Sequence, residues 1–414
     1  MKKHLHLFIA IAITAVALTS CEEADPIQKE TPKITLHKKA AEILQADNAL
    51  AFELFNEVNL LSEEENIMIS PLSISYALGM TYNGAAGSTL QAFNEVLHFG
   101  DLTTIEVNES YKDLMGQLLN LDDRVDFSIA NSIWYKKGFQ VLPDFINTNQ
   151  QFFDAAVEEV DFSDPNTLEL INGWIEDKTN DKIQDMLDYI PGNAVMYLIN
   201  AIYFNATWKY EFNKSETYSG DFAISGGSSH QVDYMRVSGN FQYTVNEEFS
   251  AVELPYGDSA FSMLVMLPAY GSTINDLIAG MKIEKWGEWF ENSRFTGVQI
   301  DLPKFKYDFK ELLNEPLKNL GLGVAFSPAE ADFTRITAPG GIWISRVIHQ
   351  SFIDVQEEGT EAAAATIVEM RELSAGGGAS AIPFKADRPF LYLIKENSTG
   401  AIVFIGKVGK PEYS

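Results

Sequence analysis

The apolar residues of this chain change their period near its middle, and that switch constrains the fold more than any other feature. Ala41, Leu44, Leu50, Leu54, Phe55 and Val58 recur at helical spacing as far as Leu61. Helical stretches are expected again at Ser88–Leu97, about Glu109–Asn120, Pro143–Phe153 and Asn166–Asn180. The run NIMISPLSISYALGM sets a short strand, Ile67–Ile69, before a helix that Ser70 can cap and Pro71 can begin. Strands are expected at Phe127–Tyr135 and Val157–Phe162. Beyond Ala194 strand patterns dominate, in AVMYLINAIYF, FQYTV, AVELPY and FSMLVMLP, separated by Gly, Asn, Asp and Pro. Helices interrupt only near Asn275–Asn292 and Lys310–Leu320, and FLYLIKENSTGAIVFIGKVG closes as a hairpin turning at Asn397–Gly400. Helices first and strands later predict an α+β fold without regular βαβ alternation. With no repeat and no linker after residue 38, one domain is expected over 38–414.

A chain of 414 residues with 46% apolar and 21% charged residues can bury a large core, which excludes whole-chain disorder. Its net charge of −28 repels phosphate, so nucleic acid is excluded as a partner, and so is binding to an anionic membrane by charge. One cysteine forms no internal disulfide, so packing alone must hold the fold. There is no G-x-S-x-G, H-E-x-x-H, G-x-x-x-x-G-K-[ST] or complete G-x-G-x-x-G, and the six histidines are scattered. No enzyme, metal site or cofactor is expected.

Lys2 and Lys3 precede an apolar run from Leu7 to Leu18, too short to span a bilayer, and then Thr19, Ser20 and Cys21. This reads as an export signal over 1–20. Leu18-Thr19-Ser20-Cys21 resembles a bacterial lipobox, which implies lipidation at Cys21 and an exported lipoprotein of the outer membrane or cell surface. Loss of Lys2 and Lys3 leaves 28 basic against 58 acidic residues, near −30. Residues 21–37 are polar and aperiodic, with Pro26 and Pro32, and are expected to form a flexible tether.

Between two strand-like runs lies EEGTEAAAATIVEMRELSAGGGAS, Glu357–Ser380. Its composition alone suits a solvated helix. The preceding run GIWISRVIHQSFIDVQ enters it directly, however, and Gly359 interrupts any helix. With period two, Thr360, Ala362, Ala364 and Thr366 share one small, uncharged face, while Glu361 points the other way. Such a strand could slip into a crowded sheet.

EEGTEAAAAT resembles the hinge of the reactive-centre loop in inhibitory serpins. NIMISPLSISYALGMTYNGAAGSTLQ, LINAIYFNATW, ELPYGDSAFSMLVMLP, LPKFKYDFKELL and DRPFLYLIKENSTGAIVFIGKV resemble serpin blocks in serpin order, so the likeness covers about residues 38–411. It implies one domain with three β-sheets, eight or nine helices and an exposed loop at about 357–388. It further implies a hinge of Glu357, Glu358, Gly359, Thr360, Glu361, Ala362, Ala363, Ala364, Ala365 and Thr366. Ser70, Ser73, Asn200 and His349 would form the shutter beneath the opening of the central sheet, with Trp208 at its top. Lys304 would pair with Glu357, and an exposed pair there contributes at most about 1 kcal/mol.

The implied activity is inhibition of serine proteases, and of some cysteine proteases, by a monomer acting as suicide substrate. The scissile bond falls fourteen residues beyond Gly359, at Leu373–Ser374, which suits chymotrypsin-like or elastase-like enzymes. The loop is longer than usual after that point, with Gly376–Gly378 inside the excess, so Met370 and Arg371 stand as alternatives. A non-inhibitory serpin, acting as binding protein or decoy substrate, is the alternative function. The acidic stretch Asp101–Asn120 predicts no polyanion cofactor.

Overall fold

Helix α1 (Lys38–Leu61) begins at His37, whose ring Nδ1 accepts the Ala40 amide, and turns Ile43, Leu50, Leu54 and Phe55 inward. The computed structural model describes residues 31–224, 226–360 and 381–413. After α1 come β1 (Asn66–Ile69), α2 (Pro71–Tyr82), α3 (Gly87–Val96), α4 (Thr104–Leu118), β2 (Val125–Lys136), α5 (Pro143–Phe153), β3 (Ala156–Val160), α6 (Asn166–Lys178) and β4 (Met196–Thr207). The strand-rich part holds β5 (Tyr218–Ala223), β6 (Ser229–Val245), β7 (Phe249–Pro255), β8 (Phe261–Pro268), α7 (Ile274–Gly280), α8 (Ile283–Phe290), β9 (Arg294–Pro303), β10 (Phe305–Leu312) and α9 (Asn314–Asn319). It ends with β11 (Ile348–Gln356), β12 (Gly359–Thr360), β13 (Ile382–Lys385), β14 (Phe390–Glu396) and β15 (Ile402–Val408).

Local chemistry explains where these elements start. Ser70 caps α2 by accepting the Ser73 amide, with Pro71 at the first helical position. Helix α4 starts five residues before its expected beginning because Thr103 and Glu106 form a capping box. The single helix expected over 275–292 is two, since Met281 and Lys282 are extended. That break lets α8 lay Trp286 on Phe52 and Trp289 on Phe249. The expected helix from Lys310 shrinks to α9 because β10 runs on to Leu312, pairing Lys310 with Gln350 and Leu312 with Ile348. Long-range pairing overrides the local pattern there.

Two ladders result. One has six strands in the order β10-β11-β12-β4-β2-β3; the other runs β1-β15-β14-β8-β7-β6-β9-β13, with β5 beside β6. The seventeen-residue β6 pairs with β9 from Tyr234 to Tyr243 and with β7 from Gln242 to Val245, so two of the three expected sheets share this strand. Phe127, Phe204, Phe261 and Phe404 interlock in the core behind the six-stranded sheet. Burying one such ring contributes about 3 kcal/mol. On the opposite face α6 packs Ile171 and Ile175 with Trp134 and Ile199.

The expected tether is held at its far end. Ile34 is buried and its amide donates to Ser398 Oγ at 2.9 Å. Gln117 of α4 accepts the Thr35 amide at 2.9 Å and donates to the Thr35 carbonyl at 3.0 Å. One side-chain amide thus satisfies both backbone groups of an irregular segment. Cys21 lies outside the described residues.

Candidate functional site: a seam and its hinge

Strand β4 pairs with β2 along its whole length, from Met196 to Ala206, and β11 pairs with β10 from Ile348 to Val355. Between them, among the described residues, only β12 is seated. Gly359 pairs with Thr207 and Gln356, and Thr360 pairs with Ala206 and Val355, antiparallel to both neighbours. From Ala206 down to Met196 the seam runs roughly 33 Å. Its lower part opens on a cavity of about 260 Å³ lined by Ser73, Ala77, Leu198, Asn200, Ile202 and His349, among others.

The upper end is built to hold a turn. Trp208 stacks on Tyr256 with ring centroids 4.4 Å apart, and its Nε1 donates to the Gln356 carbonyl at 2.8 Å. The Trp208 and Phe212 amides donate to the Glu358 and Glu357 carbonyls. A Cβ on Gly359 would lie 2.1 Å from the Ala206 carbonyl oxygen, so only glycine lets the chain pass this close to β4. Thr360 points inward and its hydroxyl meets that of Tyr256.

Glu357 receives Lys304 Nζ at 3.0 Å and the Thr217 hydroxyl at 2.8 Å. Burial pushes its pKa up, but these hydrogen bonds and the lysine charge outweigh burial and hold it below the usual glutamate value. The side chains of Lys304 and Glu357 are 17% and 6% exposed, so the pair is not the exposed one expected. The tyrosine at 413 covers it: Lys304 Nζ lies 4.2 Å from the Tyr413 ring centroid.

Lower down, the structure brings Ser70, Ser73 and His349 together. The Ser70 amide donates to His349 Nε2 at 3.1 Å, and Ser70 Oγ donates to the Val403 carbonyl at 2.8 Å. Full burial lowers the His349 pKa to about 4, so the ring is neutral with Nε2 as acceptor. Asn200 faces the same cavity but does not bond to His349. Its Nδ2 donates to Asn131 Oδ1 at 2.7 Å, while its buried Oδ1 has no partner among the described residues.

Glu361 to Thr366 of the hinge, and Met370, Arg371, Leu373 and Ser374, lie outside the described residues. Tyr256, Thr217, Asn131 and Tyr413 were not anticipated. Only Tyr256 had a sequence signal, since ELPYGD is one of the blocks that carry the resemblance.

Between β4 and β11, then, Gly359 and Thr360 alone among the described residues are paired on both sides. The chain belongs to the serpin family. The family model described as "Serpin (serine protease inhibitor)" matches residues 45–411. An uncharacterized serpin-like protein of Methanosarcina acetivorans is 33% identical, over 98% of this chain and 97% of its own length. Human Serpin B4 is 33% identical over 89% of this chain and 99% of its own. Among solved structures, the thermophilic serpin tengpin in its native state superposes with a TM-score of 0.81 at 32% identity, covering 91% of this chain and 96% of that one.

Proposed function

We propose that this chain inhibits serine endopeptidases as a suicide substrate, and the observation that carries the proposal is the register of β12. Extending the pairings of Thr360 with Ala206 and Val355 sets residues 362, 364, 366, 368 and 370 on the inward face of the seam. Those residues are Ala362, Ala364, Thr366, Val368 and Met370, while Glu361, Glu369 and Arg371 face outward. No inserting charge would be buried as far as Met370; Glu372, the next inward position in this alternation, would fall beyond the end of β4. In that register Thr366 falls opposite both Asn200 and His349, where its hydroxyl can donate to the unpartnered Asn200 Oδ1. Met370 would fall opposite Met196, the first residue of β4, and Leu373 just beyond that end of the strand.

The chemistry follows from that length. A protease serine attacks the Leu373 carbonyl, the bond to Ser374 breaks, and the new amine leaves with its fragment while Leu373 stays esterified to the enzyme. Insertion then competes with hydrolysis of the ester. About ten new backbone pairs at around 1 kcal/mol each supply on the order of 10 kcal/mol, comparable to a protein's whole stability. Roughly 45 Å of extended strand carries the attached protease across the inhibitor, which is ample to displace its catalytic groups. A leucine bait favours chymotrypsin-like or elastase-like enzymes. The domain acts as a monomer held at a membrane through Cys21, displayed at the outer membrane or cell surface.

Incubation with chymotrypsin-like and elastase-like proteases tests this directly. The expected products are a denaturant-resistant covalent complex and a released fragment beginning at Ser374. A fragment starting at Arg371 or Glu372 moves the bait to Met370 or Arg371. Cleavage without a covalent complex across a broad protease panel overturns inhibition in favour of a decoy substrate. Cys21→Ala should abolish partition into detergent, and unchanged partition refutes the anchor.

A further inference from the structure

The hinge is covered by Tyr413, which lies beyond both the sequence blocks and the family match over 45–411. After β15 the chain is pinned twice. Asn66 Oδ1 accepts the Gly409 and Lys410 amides, both at 3.0 Å, and the Lys306 amide then donates to the Glu412 carbonyl at 2.8 Å. These two fixtures deliver Tyr413 over the hinge. Its ring covers Lys304 Nζ, the partner of Glu357, and its hydroxyl donates to Gln356 Oε1 at 3.0 Å. Gln356 is the last residue of β11 and the one that pairs with Gly359.

We infer that Tyr413 is a positioning residue for the hinge, clamping Gln356 and shielding the Lys304–Glu357 pair so that the turn from β11 into β12 holds its register. Two effects act together. The aromatic face stabilises the lysine charge and keeps water from the ion pair. The phenol ties the strand end on one side of the turn to a segment anchored on β1 and β10. Burial, then the carboxylates of Asp354, Glu357 and Glu358, raise the phenol's pKa, so it stays protonated as a donor. Asp354, whose carboxylate also faces this phenol, is a second acceptor within the same group.

Hydrogen exchange at the amides of residues 356–360 in the uncleaved protein tests the clamp without reference to any protease. Tyr413→Ala should speed exchange there about five- to tenfold, the factor that a lost contact of this kind sets. Tyr413→Phe, which keeps the ring and loses the hydroxyl, should fall between the two. Exchange within twofold of wild type in Tyr413→Ala, or an equal rise throughout the six-stranded sheet, overturns the inference. A second arm rests on the inhibitor proposal: Tyr413→Ala should consume severalfold more inhibitor per trapped protease, with Tyr413→Phe partly restoring the ratio. Should the wild type trap no protease, the inhibitor proposal fails while the exchange arm still decides the clamp. If Tyr413→Ala does not fold, Tyr413→Phe carries the test alone, and unchanged exchange in it removes the hydroxyl's role.

Discussion

The phenolic oxygen of Tyr256 lies 2.5 Å from the hydroxyl of Thr360, and both residues are buried. This contact holds the Thr360 side chain toward the core. Under the proposed mechanism, because side chains alternate along a strand, this one contact would fix which residues of the inserted strand face the core.

Thr360→Arg places a guanidinium where the Tyr256 hydroxyl now sits. Burying that unpaired charge costs several kcal/mol, so insertion should stall and the variant should be cleaved as an ordinary substrate. Gel analysis of protease mixtures reads the ratio of covalent complex to cleaved product. A variant that traps as efficiently as wild type would refute the expectation that a charge at residue 360 stalls insertion.

Removing either partner of the Lys304–Glu357 pair should destabilise the uncleaved protein by more than the ~1 kcal/mol of an exposed pair, approaching about 3 kcal/mol for a broken buried one. Lys304→Ala, Glu357→Ala and the double variant form a cycle read by denaturant midpoints. Coupling below about 0.5 kcal/mol would place the pair among the inconsequential surface contacts.

Asp47 of α1 is wholly buried against α2 and α4, and burial raises its pKa to about 7 even though Tyr111 donates to its Oδ1 at 2.9 Å. Its other oxygen has no partner among the described residues. An acid whose folded pKa exceeds its unfolded value binds extra protons when folded, so stability should fall as pH rises from about 4 to about 7. The span corresponds to on the order of 4 kcal/mol. Asp47→Asn should abolish that slope and be the more stable form at pH 8. A difference between the two proteins that is the same at pH 5 and pH 8 refutes the assignment.

His349 acts in the opposite direction. Its folded pKa of about 4 lies below the unfolded value, so its contribution is complete above about 6.5 and is lost as pH falls toward 4. The loss amounts to roughly 3 kcal/mol. His349→Gln can keep the acceptor that Ser70 needs but cannot take up a proton, so its stability should not decline over that interval on this account. An imidazole that titrates near 6.5 by NMR in the folded protein would sink the claim.

The elements most legible in the sequence were those whose signals lie within a few residues. Ser70 and Pro71 start α2 as expected, and α5 occupies the expected Pro143–Phe153. The capping box at Thr103 was equally local and was missed. What escaped depends on partners far along the chain. The extension of β10 to Leu312 needs β11 beside it, and the break before α8 answers to Phe52 and Phe249. At the site, the spacing after Gly359 was readable, but the burial of the Lys304–Glu357 pair was not, because Tyr413 reaches the lysine and Thr217 the glutamate from separate segments. Asp47 sits between Ala46 and Asn48 like any polar helical residue, and only the packing of α2 and α4 makes it unusual.

The cavity beneath β4 and β11 has a consequence in hydration rather than in energy. It is open to solvent, and at about 260 Å³ it has room for several waters. Under the proposed mechanism a strand laid along the seam would displace them. Solutes too large to enter the cavity favour whichever form holds fewer such waters, so osmotic stress should favour the cleaved protein with its strand inserted over the uncleaved one. Density measurements at graded osmolality would thus distinguish the two by the water each holds, without a chromophore or a label.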